Sequence, residues 1–256
     1  MAITDLINIP GNLNPRVSSA KQTTMLSALG NPRGDYDDTC REVTHPGMRA
    51  LIATRDVGPF RARGLVPALD ALTAIFAEIK REDGEVFAAL GTAGMLCARF
   101  VRGSTSALSN HSWGTAIDLT LDGHLDQRGD ARVQIGLARI APFFNRHGWF
   151  WGAGFRIEDA MHFEASDELI RKWHADGKFG APATAMLPES VLTLGDRGPE
   201  VVALQERLNK VDGAGLSTDG MFGIGTRAAV IAFQARRGLQ PDGVVGPKTK
   251  AVLALV

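Results

Sequence analysis

No stretch of this 256-residue chain runs to the roughly 18 uncharged apolar residues that a membrane helix needs, so membrane insertion is not expected. The amino end, MAITDLINIPGNLNP, lacks a basic start leading into an apolar run. No secretory signal is read there, and synthesis as a soluble cytoplasmic chain is expected. Net charge is lacking too, since 28 Lys and Arg balance 28 Asp and Glu. A polyanion partner selects clustered basic charge, so nucleic-acid binding is not expected. A phosphate-binding loop is also missing, because GMFGIG (220–225) has no Lys-Ser/Thr and follows no strand. Cysteine is limited to Cys40 and Cys97. Without an export signal, two buried free thiols are expected in preference to a pair.

What is present is concentrated in Ser109 to Asp118, SNHSWGTAID. It fits S-x-H-x-x-G-x-A-x-D at all five fixed positions. With each position arising by chance about once in twenty, a chain of this length holds an accidental match on the order of once in ten thousand. A second segment, DAMHFE from Asp159 to Glu164, sets an acid three positions before His162. Together they offer His111, Asp118 and His162 as an N,O,N ligand set, with Asp159 an uncoordinated carboxylate nearby. Three protein ligands leave a fourth tetrahedral position open, as catalytic zinc requires.

The pair of motifs S-x-H-x-x-G-x-A-x-D and [ED]-x-x-H resembles the zinc peptidases that cut peptidoglycan stem peptides: the D-alanyl-D-alanine carboxypeptidases and the phage L-alanyl-D-glutamate endopeptidases. The carboxypeptidase branch usually has Glu where this chain has Asp159, whereas the endopeptidase branch often has Asp. That departure tilts the expectation toward the endopeptidase. The resemblance implies Zn²⁺ as cofactor, peptidoglycan as partner and, with no export signal, a phage endolysin released to the wall at lysis. A monomer is expected.

Length and 45% apolar content suit two domains. Leu65, Leu69, Leu72, Phe76 and Ile79 recur at helical spacing between Gly64 and Gly84. Strands are predicted at residues 96–101 and 115–121, the second closed by the turn Asp122-Gly123. A helix over about 132–146, a strand carrying His162 and a helix capped by Ser166 and ended near Gly177 follow. This reads as an α+β domain over 1–180, with a small, mostly antiparallel sheet flanked by helices.

Residues 181–192, within GAPATAMLPES, read as a linker. Residues 193–256 form a separate module, in which Val201, Leu204, Leu208 and Val211 make one helical stripe. Asp219-Gly220, Gly223 and Thr226 are echoed 23 residues later by Asp242-Gly243, Gly246 and Thr249. The D-G-x-x-G-x-x-T pattern is similar to the three-helix peptidoglycan-binding domain found at the ends of wall hydrolases. Eight basic residues against six acidic ones give it +2, so binding would rest on a shaped groove.

For amide hydrolysis, Asp159 is the candidate base. Arg102 and, second, Arg99 are candidates to meet a carboxylate or developing oxyanion, because a planar guanidinium fork suits both. Glu158 is the competing acid, and Glu164 and Ser109 are expected to orient ligands. His45, His124 and His174 read as turn or helix-end residues, and His147 as a residue that could line the cleft. Trp113, Trp149 and Trp151 read as core. Three rivals are weighed. Ser18-Ser19-Ala20-Lys21 fits the S-x-x-K of serine D,D-peptidases, but the S-D-N and K-T-G partners are missing. A D,D-carboxypeptidase or D,D-endopeptidase of the same fold is the alternative enzyme, and a wall-binding protein without catalysis is the alternative class.

Overall fold

The computed structural model describes residues 2–179 and 191–253. In chain order the first unit holds β1 (Leu6–Asn8), α1 (Gln22–Leu29), α2 (Pro46–Ala50), β2 (Ile52–Asp56), β3 (Arg61–Leu65), α3 (Val66–Glu82), α4 (Gly84–Ala89), β4 (Leu90–Gly94), β5 (Ala116–Leu121), β6 (Arg132–Gln134), α5 (Ile135–Arg146), β7 (Trp149–Trp151), β8 (His162–Ala165) and α6 (Asp167–Ala175). The second holds α7 (Pro199–Asp212), α8 (Ile224–Arg236) and α9 (Pro247–Leu253). The architecture is α+β, with every strand pair antiparallel. Among the described residues, no helix is long and apolar enough to cross a membrane.

The four-stranded sheet runs β4-β5-β8-β7. Alternation along its strands divides it into two faces. Ile117, Leu119, Leu121, Phe163, Ala165, Trp149 and Trp151 share one face and are buried. Against it packs α5, whose Phe144 ring lies 4.1 Å from Phe163 and 5.8 Å from Trp149 between centroids. Beyond it, α3 buries Leu69, Leu72, Ile75, Phe76 and Ile79 completely. Each such side chain contributes about 1.5–3 kcal/mol by leaving water, and truncating Leu72 to Ala would cost roughly 2–5 kcal/mol. The opposite face carries Asp118, His162 and Glu164, and is the one that matters chemically.

Several elements differ from the sequence reading. The strand predicted at 96–101 is not a ladder strand. Arg41 bridges Ala98 and Phe100 bridges Leu108 as isolated pairs, while the strand beside β5 is Leu90–Gly94. The helix predicted from about 132 begins at Ile135, because 132–134 pair with β1. Ser166 caps α6 as expected, its Oγ accepting from the Leu169 N–H at 3.1 Å. Cys40 and Cys97 form a disulfide, which corrects the expectation of free thiols. The reciprocal backbone bonds between Arg41 and Ala98 set the two neighbouring cysteines opposite each other across 57 residues of chain.

The three helices near the carboxyl end enclose a core of their own around Val201, Leu204, Leu208, Phe222, Val230 and Phe233. The sequence repeat has a structural counterpart. Buried Gln205 donates to Asp219 Oδ1, Met221 O and Thr226 Oγ1, and accepts from the Gly220 N–H. Gln234 makes the same set with Asp242, Val244, Thr249 and Gly243. Leu192 pairs with Val245 and joins this core, although the linker was expected to extend to 192. The rest of that predicted linker, 181–190, lies outside the described residues.

The two units touch. Asn31 Nδ2 donates to Leu194 O at 2.6 Å and Arg227 Nε to Gly34 O at 2.7 Å. A Cβ at Gly34 would stand 2.6 Å from Val244 Cγ2, and one at Gly195 2.7 Å from Leu26 Cδ1. A side chain at either place would push the facing Val244 or Leu26 aside.

Candidate metal centre and its cleft

Strand register accounts for half of the site. Asp118 on β5 is directly opposite His162 on β8, so their side chains leave the sheet side by side on the polar face. His111 arrives from a 3₁₀ turn at Asn110–Trp113 that ends at Gly114 in the left-handed region, φ 65°. A Cβ at Gly114 would also stand 2.9 Å from Gly64 Cα. Glycine is therefore required there twice over, for its conformation and for the approach of β3.

The three donor atoms form a triangle. His111 Nε2 lies 3.2 Å from His162 Nδ1 and 3.2 Å from Asp118 Oδ1, and His162 Nδ1 lies 3.1 Å from Asp118 Oδ1. Ligands about 2.0–2.1 Å from a tetrahedral zinc stand about 3.3–3.4 Å from one another. The residues thus fit a small tetrahedral divalent ion, and among the described residues this is the one His/Cys/Asp/Glu cluster of that kind.

Hydrogen bonds on the far side of each ring select the tautomers. His111 Nδ1 faces Met95 O at 2.9 Å, so it carries the proton and leaves Nε2 as the donor to a metal. His162 Nε2 faces Glu164 Oε2 at 2.9 Å, which leaves its Nδ1 for the triangle. Glu164 is buried and accepts in addition from Asn110 Nδ2, Ser19 Oγ and the Ala20 N–H at 2.8, 2.7 and 3.0 Å. The orienting part expected of Glu164 and Ser109 is thus geometrically available to Glu164. Asn110, not Ser109, is its partner.

Electrostatics favour a cation at the triangle. Burial alone would push the Asp118 carboxyl up, but hydrogen bonds from both histidines outweigh it and hold that group well below its ordinary range. Burial likewise opposes charge on His162, yet the bonds to Asp118 and Glu164 push its pKa up to about 10. Glu164 is held down despite burial, by His162, Asn110 and Ser19. Two carboxylates therefore hold a proton on the imidazole that a divalent ion would displace.

The triangle opens into a cleft of about 530 Å³. Asp159 lines it, with Oδ2 3.4 Å from Arg128 Nε and with Oδ1 buried and without a hydrogen-bond partner. Burial, foremost, raises its pKa, and the charge of His162 opposes that. Its neighbour Glu158 does not line the cleft and spends its carboxylate on the backbone N–H groups of Gly129 and Asp130. Gly152 makes room for this turn, since a Cβ there would stand 2.4 Å from Asp159 O.

Arg99 and Arg102 both reach the cleft. Arg99 is half-buried, close enough to feel Asp118 and Asp159, and its Nη1 donates to Phe100 O at 3.0 Å. Arg102 is exposed and, among the described residues, has no carboxylate partner. Sequence reasoning missed Arg128, Phe155, Arg156 and Ile157, which line the cleft as well. They sit on loops, and no motif announces them. Phe155 lies beside His162 with the rings tilted by 47° and 5.6 Å between centroids.

Other residues are accounted for structurally. His147 does not line the cleft and pairs with Glu78 at 2.9 Å. His45 caps α2 through the Met48 N–H, and the tryptophans are buried in the core. In the S-x-x-K segment, Ser18 Oγ donates to Glu168 at 2.6 Å and Ser19 serves Glu164, so both hydroxyls are committed to holding the chain.

Both the donor cluster and the carboxyl-terminal helices fall in segments that match known families. Residues 102–165 match the family described as D-alanyl-D-alanine carboxypeptidase, and residues 197–253 match the putative peptidoglycan binding domain. The resemblance to the zinc peptidases of peptidoglycan with a carboxyl-terminal wall-binding module is thereby shown. Among particular proteins, the chain is 45% identical over 60 residues to the zinc D-Ala-D-Ala carboxypeptidase of Streptomyces albus G, covering 23% of this chain and 24% of that one. It is 40% identical over 65 residues to the spore cortex-lytic enzyme of Halalkalibacterium halodurans, covering 25% of this chain and 20% of the relative. A solved structure of the Burkholderia AP3 phage endolysin shares 48% identity over 26% of this chain and 25% of that one, with a TM-score of 0.25. The chain spans 56% or less of the length of the curated relatives it matches.

Proposed function

We propose that this protein is a zinc-dependent peptidase that cuts the stem peptide of peptidoglycan, with L-alanyl-D-glutamate endopeptidase as the leading specificity. His111, Asp118 and His162 would hold the ion, and residues 193–256, joined to a catalytic domain spanning 1–180 through a linker over 181–192, would grip the wall. Bound zinc would supply a water acidic enough to act at neutral pH and charge to polarise the carbonyl. Asp159, through its unpartnered Oδ1, would take the water proton and return it to the leaving amine. Arg99 from the inner wall and Arg102 from the rim would meet substrate carboxylate or the developing oxyanion. The observation that carries this reading is the donor triangle of 3.1–3.2 Å edges placed beside a carboxylate with one free oxygen.

The biological setting we propose is a phage endolysin that reaches the wall at lysis. A D,D-carboxypeptidase is kept as the second reading because the matched family bears that description. Digestion of purified peptidoglycan with zinc-loaded protein, with and without chelator, separates the readings by the mass of the fragments. Chelator-sensitive peptides beginning at D-glutamate are expected. Release of single D-alanine would establish the second reading instead, and intact walls with bound protein would leave a binding protein only.

A further inference from the structure

Glu158 and Asp159 are adjacent and hold consecutive residues of one loop, but only Asp159 lines the cleft. Glu158 is 6% exposed, and its carboxylate takes the N–H groups of Gly129 and Asp130. The Gly129 N–H also reaches Glu158 O at 3.2 Å. On its other side the loop is tied to β6, where Asp126 Oδ2 accepts from the Gln134 N–H at 2.7 Å and Asp130 Oδ1 from the Arg132 N–H at 2.8 Å. The residue immediately before this pinned stretch is Arg128, and its Nε stands 3.4 Å from Asp159 Oδ2.

Resting on the peptidase reading above, we propose that Arg128 is the positioning residue for Asp159, and that Glu158 delivers it. A carboxylate is free to turn about its last torsion, which exchanges its two oxygens. A guanidinium on Oδ2 breaks that equivalence. It leaves Oδ1, buried and unpartnered, as the oxygen directed at the proton to be moved. Arg128 differs in this from Arg102 and Arg156, which line the same cleft with no carboxylate partner among the described residues and are free for a ligand.

The ion pair is solvent-exposed on the arginine side, 41%, and such pairs add little to folding stability. Removing Arg128 therefore leaves the fold standing, and its effect falls on turnover. The test uses the full zinc-loaded chain and a soluble stem peptide bearing an L-alanyl-D-glutamate bond. Arg128→Ala is expected to lower kcat between about ten- and a hundredfold, the scale of a small misplacement of a reacting group. KM should stay within about twofold, because substrate binding is untouched. Zinc content and thermal midpoint should match the wild type, Arg128→Lys should recover part of the loss, and Arg128→Ala should add nothing in an Asp159→Asn background.

A raised KM with kcat unchanged, or the same fractional loss in the Asp159→Asn background, overturns the proposal in favour of substrate contact. High-resolution structures of wild type and Arg128→Ala give a readout without turnover. The Asp159 carboxylate is expected in one orientation in the first and turned or split in the second, and an unchanged carboxylate overturns the proposal. A wild type that leaves this peptide uncut would sink the L-alanyl-D-glutamate specificity and leave the structural comparison to judge this proposal.

Discussion

Glu164→Gln is the sharpest perturbation of the metal centre, because it changes a proton count and almost no volume. In the native arrangement Oε2 faces two donors, His162 Nε2 at 2.9 Å and Asn110 Nδ2 at 2.8 Å, while Oε1 faces Ser19 Oγ and the Ala20 N–H. An amide satisfies only one of these sides with its oxygen. If that oxygen stays with Ser19 and Ala20, its NH₂ group meets His162 Nε2, and the imidazole must move its proton to Nδ1. That is the atom 3.1 Å from Asp118 Oδ1 in the donor triangle, so its lone pair is lost to a metal. Changes to such partners of a ligand weaken metal binding by about 10- to 100-fold, or about 1.4–2.8 kcal/mol. Competition against a chromogenic zinc chelator at constant pH measures this directly. Ser19→Ala serves as the control, since it removes one donor without turning the ring and should cost less. A folded Glu164→Gln protein that binds zinc as tightly as the wild type would refute the tautomer argument.

Further expectations concern the rest of the chain. Asp159→Ala should keep zinc but lose turnover by roughly 10²- to 10⁴-fold, whereas His162→Ala should lose both; metal analysis beside peptide digestion distinguishes them. Gln205→Ala strands Asp219, Gly220, Met221 and Thr226 without their shared partner. It should destabilise the carboxyl-terminal helices by about 2–4 kcal/mol in denaturant unfolding while leaving zinc uptake unchanged. Burial raises the Asp126 pKa from 3.8 to about 6. Its contribution to stability is then full below the unfolded value and is lost as pH rises through about 6. In metal-free protein, Asp126→Asn should gain on the wild type across that interval and stay ahead by roughly 1–3 kcal/mol at neutral pH, with thermal midpoints converging at pH 4 or below.

The donor triangle was legible in the sequence because its parts are local. One turn carries His111 and two strands carry Asp118 and His162, with the motif glycine marking where the chain crowds β3. The walls of the cleft were not legible. Arg128 and Arg156 sit on loops placed by contacts such as Glu158 to Gly129, which have no period and no fixed spacing. The disulfide was hidden for a similar reason, since the backbone pairing of Arg41 with Ala98 that aligns the cysteines lies outside any regular strand. Residues 96–101 look strand-like by composition, yet β4 is the more polar Leu90–Gly94. What favours β4 is its partner β5, and tertiary pairing outweighs intrinsic preference there. In the last third, the repeated Asp-Gly-Gly-Thr spacing was visible. The glutamines that hold it were not, because Gln205 precedes its aspartate by 14 residues and Gln234 by 8.

Asn31 and Gly34 meet Leu194 and Arg227 directly, so the two units are joined by contact as well as by chain. An anchor on a slack tether would let one bound enzyme sweep a disc of wall and clear it bond by bond. On the proposed function, an anchor and a cutting site held in a single frame would expose only the bonds at one offset and angle from each foothold. Work on an intact wall would then proceed by stepping, with release as part of each cycle. Under that regime a firmer foothold slows digestion of the wall while leaving a dissolved peptide to be cut as fast as before.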